Sequence, residues 1–265
     1  MLPSVVYTRH SLAISRRKKM SNTYKQDKDL ELLRYADNDM LGVLVNYLTT
    51  DKDGKTRYTE TLTGDKQFQA AKGDYQQVWQ QIAGELQHFG GDTLVNLFRR
   101  SGVEYKEILI DVCKKLSIKT DYKAEAVDIE QALLAKLFAD SWEKMSEAER
   151  EELRKELKID ASLTSSAALT AIIAAIRMGG FMSYQVAMIV ADAVAKALLG
   201  RGLTIAANAG LARAIGVLAG PIGIAITVLL TVPAISGPAF RVTLPSVVQV
   251  AAMRQQMLNE EELIF

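Results

Sequence analysis

Two polar side chains, Glu85 and His88, are spaced as metal ligands on one helix face. They lie three residues apart in the stretch ELQHFGGDT, at the end of a helix predicted to run to Phe89. Residues three apart share a helix face, and carboxylate-bridged metal sites use this Glu-x-x-His spacing. The only other histidine, His10, lies in the N-terminal tail. The pair is therefore a weak metal candidate, and we expect His88 to interact with the negative end of the helix dipole instead.

An enzyme would have to be built on Glu85, His88 and Asp92, three polar groups at one helix end. The chain has no Walker phosphate loop, dinucleotide glycine fingerprint, His-Glu-x-x-His motif or Gly-x-Ser-x-Gly elbow. Its single cysteine, Cys113, lies in an apolar helical stripe, which is typical of a small buried hydrophobe rather than a nucleophile. The sequence favours a non-enzymatic protein, with no catalytic residue and no cofactor assigned.

The segment TTDKDGKTRYTE partly matches a calcium EF-hand loop. Asp51, Asp53, Gly54 and Glu60 fit loop positions three, five, six and twelve, but Thr49 stands where the first position requires a carboxylate. Asp-Gly is also a frequent turn dipeptide. We therefore predict a surface turn here rather than a calcium site.

Charge divides the chain near Asp160. Of the 32 Lys and Arg residues and the 31 Asp and Glu residues, positions 161–265 hold only six and four. The predicted organisation is a flexible basic tail (1–22), a charged helical domain (23–160), an apolar small-residue helical bundle (161–258) and a short tail (259–265). The net charge of +1, with few basic clusters and little aromatic interleaving, gives no indication of a nucleic-acid partner.

The first 19 residues, MLPSVVYTRHSLAISRRKK, contain no acidic side chain. A secretory signal would place its charges before a continuous apolar core, and this segment has the opposite order. It is either a targeting or membrane-touching tail or an extension before a start at Met20, and we favour the extension. The lone cysteine excludes an internal disulfide framework, so we expect a cytoplasmic protein. If it binds a membrane, we expect it to be peripheral or integral at the inner membrane.

Helical periodicity runs through the chain, so the predicted fold class is all-α. We predict a helix boundary near Asp37, a capping box at Ser146–Glu149, and a turn at Gly179-Gly180 with Ser183 as the cap of the following helix. A further break is predicted at Gly200. Two sets of alanines recur every fourth residue, at 167, 171 and 175 and at 187, 191 and 195. Small residues at this interval let helix backbones approach closely.

The stretch Ala214–Phe240 is 27 residues long without a charged side chain. Its first 22 residues could cross a hydrocarbon core of about 30 Å. Pro221 is predicted to begin a new helix, however, and Pro221–Val232 would then reach only about 18 Å. We therefore predict a hydrophobic hairpin within 203–240, turned at Gly220, Pro221 and Gly223 and buried against either protein or lipid.

The last helix is predicted to begin at Pro245. Its period places Val248, Ala251 and Ala252 inward. The same period places Arg254, Gln255 and Gln256 outward. The C-terminal residues NEEELIF are expected to be frayed.

Four stretches are specific enough to suggest a family: QIAGELQHFGGDT (81–93), GVEYKEILIDVCKKL (102–116), GPIG (220–223) and SGPAFRVTLPSVVQVAAMR (236–254). With them the chain resembles the YaaW family of uncharacterised bacterial proteins, over about Tyr24 to Met257. GPAFRVTLP is the most specific part, and Ile224 and Phe240 replace frequent aromatics of the family while keeping an apolar character. Grouping of the family with ubiquinol-cytochrome c chaperone-like proteins implies a folding or assembly role around membrane complexes and no catalytic residues.

Two functions therefore compete. The first is a chaperone-like or assembly factor acting near membranes, with a protein partner or client. The alternative is an amphitropic protein whose 203–240 hairpin enters a bilayer. Either protein could form a homo-oligomer. The candidate interaction residues are Gly90, Gly91 and Arg241, and the cations placed to meet anionic headgroups are Arg177, Arg201, Arg213 and Arg241.

Overall fold

The computed structural model describes residues 24–51, 53–91, 102–203, 209–231, 237 and 239–264. Over these residues it contains ten α-helices, three short 3-10 turns and no strand, which confirms the all-α prediction. The predicted basic tail, residues 1–22, lies outside the described residues. The helices are α1 (Asn38–Thr49), α2 (Lys66–Ala71), α3 (Trp79–Gly91), α4 (Tyr105–Lys115), α5 (Ala126–Trp142), α6 (Glu147–Glu156), α7 (Ser165–Met178), α8 (Gly180–Leu199), α9 (Ala209–Thr231) and α10 (Phe240–Ile264).

Helix α10 lies at the centre of the fold. Every residue from Val242 to Met253 is buried, because α1, α3, α4, α5 and α8 pack around it. Some of its polar side chains find partners there: the Gln249 amide donates a hydrogen bond of 3.0 Å to the Met40 carbonyl oxygen of α1, and the Ser246 hydroxyl donates to the Val242 carbonyl oxygen at 2.8 Å. A helix buried on all sides needs such partners, since an unpaired buried polar group is costly.

Two predicted helix starts are confirmed by their caps. The Asp37 carboxylate accepts from the backbone amides of Asp39 and Met40 and so begins α1. Ser146 and Glu149 form the reciprocal capping box of α6. The segment before Asp37 forms only the 3-10 turn Glu31–Arg34 rather than an α-helix.

The connection between α7 and α8 is tighter than predicted. Gly179 has a φ of 83° and is followed at once by the first residue of α8. Only glycine adopts this backbone conformation at little cost. Ser183 is buried inside α8, so the prediction that it caps the helix is wrong. The predicted break at Gly200 is confirmed, since α8 ends there in the left-handed conformation.

Helix α9 continues through Pro221, so the hairpin predicted at Gly220, Pro221 and Gly223 is wrong. A proline inside a helix removes one intrahelical hydrogen bond and crowds the preceding turn, at a cost of about 3 kcal/mol. Packing of one apolar face against α5, α6 and α8 offsets this cost, since each large buried side chain contributes about 1.5–3 kcal/mol. The face consists of Ala214, Ile215, Ile222, Ala225 and Ile226.

Helix α10 also begins earlier and ends later than predicted. It starts at Phe240, with Pro245 inside it, and continues to Ile264 through the tail expected to be frayed. Phe240 is fully buried, and this contact fixes the first turn ahead of the proline. The preference of proline for the first helical position is therefore overridden by tertiary packing.

A single apolar core runs across the charge boundary at residue 160. Helix α5 packs against α4 before the boundary and against α7, α8 and α9 beyond it. The four-part division of the chain remains a prediction from composition. Among the described helices, α8 is long and apolar enough to cross a membrane, but 67% of its most apolar window is buried inside the protein, as in the core helix of a soluble protein.

Candidate functional site

The candidate metal ligand Glu85 anchors a turn. Its carboxylate is buried and accepts from the Thr61 backbone amide at 2.9 Å and from the Thr61 hydroxyl at 2.7 Å. His88 is half-buried and contacts the edge of the Phe89 ring, and Asp92 lies outside the described residues. Within the described ranges, no three His, Cys, Asp or Glu side chains gather as a metal site would need.

The EF-hand-like loop forms the predicted surface turn. One oxygen of Asp51 accepts from the backbone amides of Asp53 and Lys55, each at 2.9 Å. The Gly54 amide donates to the Asp51 carbonyl oxygen at 3.1 Å and closes the turn. Cys113 likewise has the predicted role, since it is buried in α4 and burial raises the pKa of its thiol to about 12.

Gly90 permits a close approach of α3 to α4. It lies inside α3. A Cβ there would lie 2.6 Å from Cδ1 of Ile108, closer still to its Cγ1, and 2.9 Å from Cγ2 of Val103. Gly91 is the last residue of α3. Gly90 therefore has a packing role, and its part in an interaction remains a prediction.

Arg241 borders a cleft of about 460 Å³, which we call the Tyr47 cleft. The end of α1 and the turn after it form one wall, the last turn of α8 forms the floor, and α9 and the start of α10 close the other side. Its lining residues are Tyr47, Thr50, Asp51, Asp53, Arg57, Ala197, Leu198, Leu199, Thr227 and Arg241. The cleft combines two guanidinium groups with an aliphatic floor.

Two groups of the Tyr47 cleft have unused hydrogen-bonding capacity. The Tyr47 hydroxyl is buried and has no hydrogen-bond partner among the described residues. Burial, with a smaller contribution from the nearby charge of Asp192, raises the pKa of this phenol. Arg57 donates through Nε to the Tyr47 carbonyl oxygen at 3.1 Å, and burial lowers the pKa of its guanidinium. In the described part of the chain, no carboxylate lies within ion-pair distance of Arg57.

Asp192 supports the cleft from behind its floor. It is buried, and Oδ1 accepts from the Leu203 backbone amide at 2.9 Å, which fixes the segment that follows α8. The Lys196 ammonium lies 2.8 Å from Oδ2 as an ion pair, although it is not aligned for a hydrogen bond. These contacts fix the segment after α8 relative to the helix.

Helix α9 presents an exposed row of small and apolar residues at four-residue spacing, namely Gly216, Gly220, Ile224 and Val228. We call these four residues the α9 row. Ile224 is 58% exposed and Val228 is 46% exposed. A groove of about 420 Å³ lies beside the row and shares Ala197 and Thr227 with the Tyr47 cleft. The proposed headgroup cation Arg213 lies 3.8 Å from Glu156 of α6.

A buried ion pair, missed by the sequence analysis, ties α5 to α10. Nε of Arg254 lies 2.8 Å from Oε2 of the fully buried Glu130, and the Tyr105 hydroxyl donates to Oε1 of Glu130 at 2.7 Å. Arg254 was expected to face outward, as was Gln255, and both expectations are wrong because the two side chains are largely buried. The available signal was the position of Glu130 four residues before Leu134 on an apolar stripe.

Comparison with known proteins shows the relatives of this chain. Residues 74–248 match the family described as ubiquinol-cytochrome C chaperone, and residues 24–58 match a domain of unknown function, DUF3944. A UPF0174 protein of Helicobacter pylori is 41% identical over 90% of this chain and 96% of its own length. The UPF0174 protein YaaW of Escherichia coli K12 is 33% identical over 90% of this chain and 98% of its own length. No solved structure matches the chain.

Proposed function

Because the chain belongs to the family of UPF0174 proteins, and most of it matches a chaperone family, we propose that it is a chaperone-like factor that shields apolar helices of client proteins. The clients are membrane-protein helices before insertion or assembly, and the action takes place in the cytoplasm at the inner membrane. The supporting observation is the α9 row, an exposed apolar strip on a helix whose other face is buried.

The α9 row has the properties of a helix-docking surface. Exposed apolar patches on soluble proteins mark interaction sites. Gly216 and Gly220 leave room for a second backbone to approach, while Ile224 and Val228 offer apolar contact. The groove beside the row provides space for a client's side chains. A client helix would thus bury its apolar face on α9 without any rearrangement of the core.

The row is tested by the double substitution Ile224→Asp and Val228→Asp. Both side chains are exposed, so the fold should be retained, whereas two carboxylates would remain desolvated in the complex. Aggregation of a transmembrane client diluted from detergent is followed by light scattering. We expect the variant to require about tenfold more protein for the same protection, since a loss of about 1.4 kcal/mol in binding is a factor of ten.

The matched control is Leu258→Asp, which places a carboxylate on an exposed apolar residue of α10. It should protect the client as well as the unmodified protein does. Equal protection by the row variant and the control would contradict the proposal. The proposal would also be contradicted if both variants lost protection in parallel with a loss of thermal stability.

Membrane insertion is the second candidate function, and the continuity of α9 favours it. A helix of 23 residues is about 35 Å long, enough for a hydrocarbon core of about 30 Å. The buried face of α9 would, however, have to leave α5, α6 and α8. We therefore expect alkaline carbonate to release the protein from native membranes, and retention in the pellet would favour insertion over client binding.

A further inference from the structure

The geometry points to a second binding site, in which the Tyr47 cleft holds a long-chain carboxylate with its headgroup between Arg57 and Arg241 and its chain on the α8 floor. This ligand class is distinct from a client helix on the α9 row. Four observations support it: a half-buried cation, a buried hydroxyl without a partner, the charge of the rim and the apolar floor.

Arg57 provides the charge for the headgroup. Its guanidinium is half-buried, and among the described residues its only hydrogen bond is the one from Nε to the Tyr47 carbonyl oxygen. The remaining N–H groups form a planar fork that matches a carboxylate in two parallel hydrogen bonds. The charge of Asp51 acts on this cation, but Asp51 forms no ion pair with it among the described residues. A partly desolvated cation without a hydrogen-bonded carboxylate is costly, and a bound carboxylate would reduce that cost.

Tyr47 lines the cleft, and its hydroxyl lies beneath the protein surface. It is buried with no partner among the described residues, and a buried donor left unpaired costs about 1–3 kcal/mol. Thr50, at the end of α1, also lines the cleft and adds a second hydroxyl. Arg241, at the start of α10, contributes the second guanidinium from the opposite wall. The donors thus converge from three elements.

The rim favours a singly charged headgroup. Asp51, which is half-buried, and Asp53, which is exposed, line the cleft together with Arg57 and Arg241. One Asp51 oxygen is already engaged by two backbone amides. The two carboxylates would repel a doubly charged phosphate monoester more strongly than a singly charged headgroup. A carboxylate fits this distribution better.

The α8 floor would bind the hydrocarbon chain of the ligand. Ala197, Leu198 and Leu199 present an aliphatic surface opposite Arg57. Ala197 also lines the neighbouring groove beside Ile224, so the apolar surface continues beyond the cleft. The cleft of about 460 Å³ and the groove of about 420 Å³ each lie within the range of ligand sites, which runs from about 300 to 1,000 Å³. A short anion would leave this surface unused.

The test is titration of the full chain with monomeric oleate, read by displacement of a fluorescent fatty acid. We expect one site per chain, with binding about tenfold weaker in Arg57→Gln and in Arg241→Gln, as the loss of a charged hydrogen bond predicts. Arg177→Gln, an exposed arginine of α7 outside the cleft, is the matched control and should bind oleate normally. Arg241 is exposed, so its variant keeps the test valid if Arg57→Gln fails to fold.

Three further ligands distinguish binding of the carboxylate headgroup from binding of the hydrocarbon chain and from binding to a membrane surface. Oleyl alcohol should bind about tenfold more weakly than oleate, and acetate should not displace the probe at millimolar concentration. Equal affinity for oleyl alcohol and oleate, or equal affinity of Arg177→Gln and Arg241→Gln, would overturn the proposal. Binding to phosphatidylglycerol vesicles without binding of monomeric oleate would also overturn it. Client protection by Arg57→Gln should be unchanged, so this site and the α9 row can fail independently.

Discussion

Replacement of Arg254 by methionine is expected to lower the free energy of unfolding by about 3–5 kcal/mol, because it leaves the Glu130 carboxylate charged and buried without its partner. Glu130 is fully buried, and Nε of Arg254 lies 2.8 Å from its Oε2. Arg254 also donates through Nη2 to the Asp29 carbonyl oxygen at 2.7 Å. The substitution therefore detaches the N-terminal segment and α5 from α10 in one step. Chemical denaturation monitored by circular dichroism measures the loss.

Lys28→Met is the matched control for this prediction. Lys28 and Glu125 form an ion pair at the same distance of 2.8 Å, but with side chains 72% and 63% exposed. Exposed pairs contribute little to stability, so this variant should unfold almost as the unmodified protein does. The double variant Glu130→Gln with Arg254→Met should be less destabilised than the sum of its single variants, since the two residues act as one unit. Equal effects of Arg254→Met and Lys28→Met would contradict the account.

Replacement of Gly90 by alanine is expected to destabilise the protein by about 1–3 kcal/mol through overpacking between α3 and α4. The added Cβ would lie 2.6 Å from Cδ1 of Ile108 and 2.9 Å from Cγ2 of Val103. The substitution Ile108→Val, combined with Gly90→Ala, should recover part of the loss because it removes the Cδ1 methyl group. The same denaturation measurement applies.

Gly216→Ala is the control for this second prediction, since Gly216 is also inside a helix. Among the described residues, nothing lies within 4 Å of a Cβ at this position, and alanine is favoured over glycine in a helix by about 1 kcal/mol. The two Gly→Ala variants should therefore have effects of opposite sign. A stabilising effect of Gly90→Ala would show that α3 and α4 do not approach as closely as described.

Helix type and several helix ends could be predicted from the sequence because they depend on local chemistry. The helix boundary near Asp37, the Ser146 capping box and the Gly200 break each require only neighbouring residues, and all three are confirmed. The buried position of Cys113 followed from the period of its apolar stripe.

The errors lie where tertiary contacts outweigh local preference. The preference of proline for the first turn predicts helix starts at Pro221 and Pro245, whereas packing keeps α9 and α10 continuous through them. The helical period predicts an outward Arg254, and only the position of Glu130 on a different helix explains its burial.

The candidate site was the least predictable part of the molecule. Arg241 was named from the sequence, but its neighbours Tyr47 and Arg57 come from a different end of the chain and meet it only in the folded structure. Ile224 was noted for its apolar character, whereas the exposure of the α9 row depends on which face of α9 is buried. Neither property is encoded in local spacing.

The most direct test of the central claim is site-specific photo-crosslinking with a photoreactive amino acid at position 224 or position 258, in the presence of a transmembrane client. Ile224 lies on the α9 row, and Leu258 is an exposed residue of α10 outside it. Client binding on the row predicts a crosslinked adduct from position 224 and little or none from position 258. Equal adduct from both positions, or adduct from position 258 alone, would contradict the proposal that α9 holds the client.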